Sequence, residues 1–160
     1  QAIRFAESDA RSVGRTSHGV RAINLAEGDY VVGAGVAREG ATVFIVTEGG
    51  KGRRSQLSDY RLQSRGGKGI RNYAQGSVAG VKILDDDDDV ILISQEGILI
   101  RMHAADINVQ SRYGSGVRVM RLAESDRVVT VARSERDEEN AQAPIEQPDA
   151  AEPVTESDEE

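Results

Sequence analysis

The sequence predicts an all-β protein built of repeated blades, and three observations lead there. Its apolar residues come in short runs rich in Val and Ile, the breaks between runs are rich in Gly and acidic residues, and the chain matches itself at offsets of 50 and 47 residues. β-branched residues suit a pleated, half-buried surface, whereas Gly, Asp and Glu interrupt it. No window carries the 3.6-residue apolar period of an amphipathic helix.

Val31–Val36, Val43–Thr47, Val90–Ser94 and Val128–Val131 are the expected strands. Glu48-Gly49-Gly50-Lys51 and Gln95-Glu96-Gly97 follow two of them and are expected to turn the chain back as hairpins, since Gly tolerates the positive φ of tight turns. The repeat ties these elements together. Arg4, Arg54 and Arg101 align, followed at equal distances by Asp9, Asp59 and Asp106, by Arg15, Arg65 and Arg112, and by Gly19, Gly69 and Gly116. A β-branched residue comes next, then Arg21, Arg71 or Arg118. Leu25-Ala26-Glu27 recurs as Leu122-Ala123-Glu124, and Val78 to Val90 repeats the pattern of Val31 to Val43. A strand-rich unit of nearly 50 residues cannot bury both its faces alone. Stacked around an axis, as in propellers, each unit covers the next. Residues 1–134 are expected to form two to three such blades of a partial ring.

Composition narrows the chemistry. The chain has 160 residues, 29% of them charged and 4% aromatic, and no Cys, so there is no disulfide scaffold, thiolate zinc site or thiol nucleophile. No apolar run approaches the roughly 20 residues of a membrane span, and no basic-then-apolar leader opens the chain. A soluble, intracellular protein is expected. The net charge of −7 joins two unlike parts. Residues 135–160 hold eleven acids against Arg136, a net −10, with three Pro and almost no large apolar residue; they are expected to be a disordered acidic tail. Residues 1–134 stand at +3, and five of their acids lie in the run Asp85–Asp89, expected as a solvated hairpin tip. A basic body with an acidic tail suggests a polyanionic partner whose access the tail modulates.

The repeated loop is Gly14-Arg15-Thr16-Ser17-His18-Gly19, then Ser64-Arg65-Gly66-Gly67-Lys68-Gly69, then Ser111-Arg112-Tyr113-Gly114-Ser115-Gly116. Gly lets a backbone approach a ligand closely, and Arg offers a planar donor fork that fits phosphate oxygens. Placed once per blade around a rim, such loops suit the phosphates of DNA. The alternative is structural: a blade-to-blade turn in which Gly sets φ and Arg pairs with the repeated Asp. Gly66-Gly67-Lys68-Gly69 lacks the spacing of a nucleotide-binding P-loop, and Asp85–Asp89 lacks the Gly and distal Glu of a calcium loop. His18 and His103 are too few for a histidine metal cluster. Tyr30, Tyr60, Tyr73 and Tyr113 have none of the surroundings of a DNA-cleaving nucleophile and are expected to pack in the core or in turns. No catalytic centre is expected.

At these residues a family resemblance emerges. Ser58-Asp59-Tyr60-Arg61-Leu62-Gln63-Ser64-Arg65-Gly66-Gly67-Lys68-Gly69 resembles a blade of the C-terminal, DNA-wrapping domain of the DNA gyrase A protein, and the segments from Gly19 to Asp29 and from Gly116 to Glu124 resemble neighbouring blades. The family's box, Q-[RK]-R-G-G-[RK]-G, is matched from Gln63 to Gly69 except at Ser64; it normally lies in a first blade, so this copy is read as degenerate. The corresponding C-terminal ring of topoisomerase IV is the near relative. The resemblance implies a β-pinwheel that bends double-stranded DNA around a basic rim and supports ATP-dependent negative supercoiling. It further implies, as partners in an A2B2 assembly, the rest of the gyrase A protein and the ATPase-bearing gyrase B protein. A bacterial cytoplasmic, chromosome-associated setting and no membrane follow from it. ATP and Mg2+ would be bound elsewhere in the assembly, with no cofactor in this chain. The expected DNA contacts are Arg15, Arg21, Lys51, Arg53, Arg54, Arg65, Lys68, Arg71, Arg101, Arg112 and Arg118, with Gly66, Gly67 and Gly69 admitting the backbone. A protein-interaction module, with the Arg columns used only between blades, is the reading from another functional class.

Overall fold

The computed structural model describes residues 1–74 and 76–135; the expected acidic tail falls, from residue 136 onward, outside them. Seven strands are present among the described residues: β1 (Thr42–Thr47), β2 (Lys51–Gln56), β3 (Val78–Leu84), β4 (Asp89–Ser94), β5 (Leu99–His103), β6 (Val117–Arg118) and β7 (Val128–Ser134). The only helical pieces among them are three 3-10 turns, Glu7–Asp9, Leu57–Asp59 and Ala104–Asp106, one per repeat at the Asp column. Three of the four expected strands and both expected hairpins are therefore present.

The strands form two antiparallel sheets, a four-stranded one in the order β3-β1-β2-β6 and a three-stranded one in the order β5-β4-β7. In the first sheet the hairpin β1–β2 is flanked by β3 on one side and, on the other, by β6, which comes from the next repeat. The same exchange occurs one repeat earlier. The bridge Ala2↔Ile70 stands in the position of the pair Gly52↔Val117, and the parallel bridge Arg4↔Leu62 in that of Arg54↔Val109. Successive repeats are thus interlaced.

Expected strand Val31–Val36 joins no ladder, a correction with a simple cause. Its counterpart β3 is held by β1, and among the described residues no counterpart of β1 lies beside Val31–Val36. It packs by its face instead. A Cβ placed on Gly33 or Gly35 would lie 2.7 Å from Val81 or Ile83 of β3. Gly80, the counterpart of Gly33, makes the same close approach to Val131 of β7. The inner strands of adjacent blades therefore meet along a glycine seam.

Because side chains alternate across a strand, β1 feeds two cores. Phe44 and Val46 join Leu84, Val90, Leu92 and Val128 between the two sheets, and Val43 and Ile45 join Tyr60 on the opposite face. Every residue of β1 is buried. The second sheet is covered on one face only: Val90 and Leu92 are buried, while Leu99, opposite Ile93, is 59% exposed.

Candidate nucleic-acid interface

The loop glycines are structural first. Gly69 and Gly116 have φ of 75° and 77°, and a Cβ on either would sit 2.5 or 2.6 Å from the carbonyl oxygen of Ala2 or Gly52. The left-handed backbone there, and the closeness of the preceding repeat, admit only Gly without strain.

The arginine beside each loop reaches back to the preceding repeat. Arg65 donates from Nε to the Asp9 carbonyl at 2.8 Å and from Nη1 to the Arg21 carbonyl. Arg112 repeats the arrangement on Asp59 O, at 3.2 Å, and on Arg71 O, and its amide also donates to Asp59 Oδ2 at 3.1 Å. A second arginine column reaches forward. Arg4 donates to the carbonyls of Leu57 and Tyr60 at 3.2 and 3.3 Å, and Arg54 to those of Ala104 and, at 3.4 Å, Ile107. The Arg–Asp columns are therefore clasps between blades, made mostly to backbone carbonyls rather than to the aspartate carboxylates.

This geometry corrects part of the expected contact set. Arg53 and Arg54 are 1% and 2% exposed. They lie side by side on β2 and face opposite cores, opposite Ile45 and Phe44 respectively. Arg53 donates to the carbonyls of Arg112, at 2.5 Å, and Gly114, at 2.9 Å, and to both oxygens of Asn72. Arg54 also pairs with Asp86. Neither reaches an outside phosphate. Arg101 is engaged by the buried Asp89, which His103 also contacts. Gly66 uses its amide on the Ala22 carbonyl at 2.8 Å, so it offers no free donor to an anion.

The acidic run is only in part the solvated tip expected: Asp86 and Asp87 are exposed at a turn, but the turn links two sheets rather than closing a hairpin. Asp88 and Asp89 are buried, and Asp85, Asp86, Asp88 and Asp89 are ion-paired to Arg38, Arg54, Arg133 and Arg101. The hydrogen bond from Arg133 to Asp88 raises the guanidinium above its ordinary value. Four of the five carboxylates are thus paired with arginines, of which Arg54 alone is buried. Buried Asp88, Asp89 and Arg54 in particular need such partners, because an unpaired buried charge is far too costly to desolvate.

What remains for a partner is a set of exposed cations. The side chains of Arg15, Arg21, Lys51, Lys68, Arg71 and Arg118 are exposed and make no hydrogen bond or ion pair among the described residues. Lys51 and Arg118 are directly opposite on β2 and β6, at the outer edge of the four-stranded sheet. Arg11, Arg61 and Arg121 are equally exposed and escape the sequence pattern. Arg11 and Arg61 align with each other but meet Asn108 in the third copy, and Arg121 occurs once, so the repeat does not point to them. Among the described residues no group of three or more His, Cys, Asp or Glu is placed to hold a metal ion, and no helix is long and apolar enough to cross a membrane.

The tyrosines divide. Tyr60 is buried, with its hydroxyl donating to Asn72 Oδ1 at 2.7 Å, and burial pushes its phenol above the ordinary value against the opposing pull of Arg53. Burial likewise raises Tyr73, whose hydroxyl donates to the Ser115 carbonyl at 2.7 Å. Tyr30 and Tyr113 depart from the expected packing, at 66% and 81% exposed.

Comparison with known proteins matches this interlaced repeat. The family model described as DNA gyrase C-terminal domain, beta-propeller, fits three consecutive segments, residues 1–38, 41–87 and 88–135. The chain belongs to this family. The DNA gyrase A protein of Staphylococcus aureus is 42% identical over 135 residues, which cover 81% of this chain and 15% of that protein. A solved DNA gyrase A C-terminal domain superposes with a TM-score of 0.75 at 29% identity, over 82% of this chain and 46% of that one. The solved C-terminal domain of DNA topoisomerase IV gives a TM-score of 0.77 over 83% of this chain and 43% of that one, and at 24% identity the likeness is one of fold. The gyrase-family segments coincide with the repeats read from the columns, and β6 of the third segment completes the sheet of the second.

Proposed function

We propose that this chain binds double-stranded DNA along its outer edge and bends it, as part of the C-terminal domain of a bacterial gyrase A protein. The observation that carries this reading is the exposed pair Lys51 and Arg118. Like charges directly opposite on neighbouring strands destabilise a sheet by up to about 1 kcal/mol. A charged edge discourages aggregation with either sign of charge, so that role does not require two cations face to face. A polyanion between them turns the repulsion into binding. Arg71, Lys68, Arg21 and Arg15 add four further uncommitted cations, all outside the strands, while four of the five carboxylates of the Asp run are ion-paired.

Smoothly bending a 20–30 bp site by 40–90° costs on the order of 1–6 kcal/mol, which phosphate contacts must offset. Six cations meeting phosphates give a slope of log K against log salt of about −5, with little dependence on base sequence. Residues 1–134 then act as the wrapping blades, and the acidic residues from 135 onward compete with DNA for the same cations. Negative supercoiling, the rest of the gyrase A protein, the gyrase B protein, ATP and Mg2+ belong to the assembly this reading implies, in the bacterial cytoplasm on the chromosome.

The test is a salt titration of duplex binding by the 160-residue chain and by the same chain ending at residue 134. The expected results are a steep slope and tighter binding at low salt after truncation. A folded chain that fails to bind duplex at low salt overturns the DNA reading, and equal affinity of the two forms at low salt overturns the competing tail.

A further inference from the structure

The loop from Ser111 to Gly116 carries an aromatic side chain that its counterparts lack: Tyr113 stands where the other two copies have Thr16 and Gly66. Single exposed apolar side chains are common and need no explanation. Tyr113 differs in how firmly its loop is built. Buried Arg53 holds the carbonyls of Arg112 and Gly114, Tyr73 holds that of Ser115, and the Gln110 side chain accepts from the amide of Gly116 at 3.3 Å. For the second repeat's loop, the residues equivalent to Arg53 and Tyr73 are apolar, Ile3 and Ile23, and offer its carbonyls no donor.

The ring itself is held from one side. The Arg112 guanidinium lies 4.3 Å from the ring centroid and donates from Nη2 to the phenol oxygen at 2.6 Å. Arg112 is in turn fixed on Asp59 and on the Arg71 carbonyl. A buried cation and a clasping arginine thus hold an aromatic ring in solvent. The clasp closes on the carbonyl of exposed Arg71, and exposed Arg118, opposite Lys51, lies five residues further along the chain.

Resting on the DNA-binding reading, we propose that Tyr113 is a non-ionic contact of bound duplex DNA, its open ring face laid against the sugar–phosphate wall. Cations fix the backbone by charge, and a rigid aromatic beside them adds contact area at little entropic cost. A fixed ring at one blade also gives the bound duplex a point where its path is registered rather than sliding freely over charges.

The test compares the 160-residue chain with Tyr113→Ala, Tyr113→Phe and Tyr30→Ala, measuring duplex affinity across a salt series and unfolding by circular dichroism. Tyr30 is the other exposed tyrosine but lines a hollow with Val31, Val78 and Val128 at the inner strands. Tyr113→Ala is expected to weaken binding about fivefold to tenfold, the cost of truncating a well-held interface tyrosine, with an unchanged salt slope, because no charge is removed. Tyr113→Phe and Tyr30→Ala are expected to stay within about twofold of the parent, the ring being kept in one and remote in the other. Unchanged affinity of a folded Tyr113→Ala, or equal loss in Tyr113→Phe, overturns the ring contact while leaving DNA binding intact. A parent chain that binds no duplex at low salt overturns both.

Discussion

The joint between the first and second repeats and the joint between the second and third use one clasp over two different foundations. In both, a forward arginine, Arg4 or Arg54, meets the carbonyls of the next 3-10 turn, and a backward arginine, Arg65 or Arg112, meets two carbonyls of the preceding repeat. Beneath the second clasp lies a polar network of Arg53, Tyr60, Asn72 and Tyr73. The equivalent residues beneath the first are Ile3, Ala10, Ala22 and Ile23. The clasp is therefore indifferent to what supports it, because its acceptors are backbone groups present whatever the side chains. The foundation is free to vary, and at the second joint it has become an anchor for the loop of Tyr113.

The widest gap between the joints is expected at the forward arginines. Arg54 is almost fully buried, and Arg54→Met leaves the carbonyls of Ala104 and Ile107 unmet; urea unfolding is expected to show a loss of about 3 kcal/mol, against about 1 kcal/mol for half-buried Arg4→Met. Equal losses would erase the distinction between the joints. The loop glycines come next, and here the joints should agree. Gly69→Ala and Gly116→Ala each combine a left-handed φ with a clash on a carbonyl, and each is expected to cost about 2 kcal/mol by the same measurement. A tolerant Gly69 with an intolerant Gly116 would show the first joint to be the looser.

A smaller effect separates clasp from contact within one loop. Arg65→Ala is expected to lower stability by about 1 kcal/mol, whereas Lys68→Ala should leave the unfolding midpoint in place and reduce the salt slope of DNA binding by about 0.9. The reverse pattern would make Arg65 the phosphate ligand. The mildest prediction concerns alkali and involves only the second joint. Burial raises the Tyr60 phenol above its ordinary 10.0, so its contribution is complete below pH 10 and is lost as pH rises through the folded-state value, where the unfolded chain ionises first. Stability measured from pH 8 to 11 is expected to fall less steeply in Tyr60→Phe than in the parent; identical slopes would remove Tyr60 as a source.

The periodic part of this architecture was legible in the sequence, and the private part was not. The columns of Arg, Asp and Gly carry the blade length, the turns and the interlocking positions, because each copy must solve the same backbone problem. Arg53 and Arg54 read as rim cations and are not. A Lys-Gly-Arg-Arg-Ser-Gln run has the composition of an exposed basic strand, and its acceptors are carbonyls of distant residues, which leave no trace in residue identity. The same holds for the Asp run, whose partners Arg38, Arg101 and Arg133 are scattered along the chain. Val31–Val36 has every local feature of a strand, yet a ladder needs a neighbour, and no propensity supplies one. The Lys51–Arg118 pairing depends on a register between two repeats that the columns imply only once the exchange of β6 is known.

The glycine seam of the inner strands has a geometric consequence. Where Gly33, Gly35 and Gly80 face Val81, Ile83 and Val131, the absent side chains let neighbouring backbones approach more closely than a Cβ would allow. Farther out, Phe44, Leu92, Arg54 and Ile107 hold them apart. A blade thinner at its glycines than at its core side chains is a wedge, and stacked wedges turn by an angle that the taper sets. Three hydrogen atoms in place of side chains thereby set how closely neighbouring blades approach at their narrow edge.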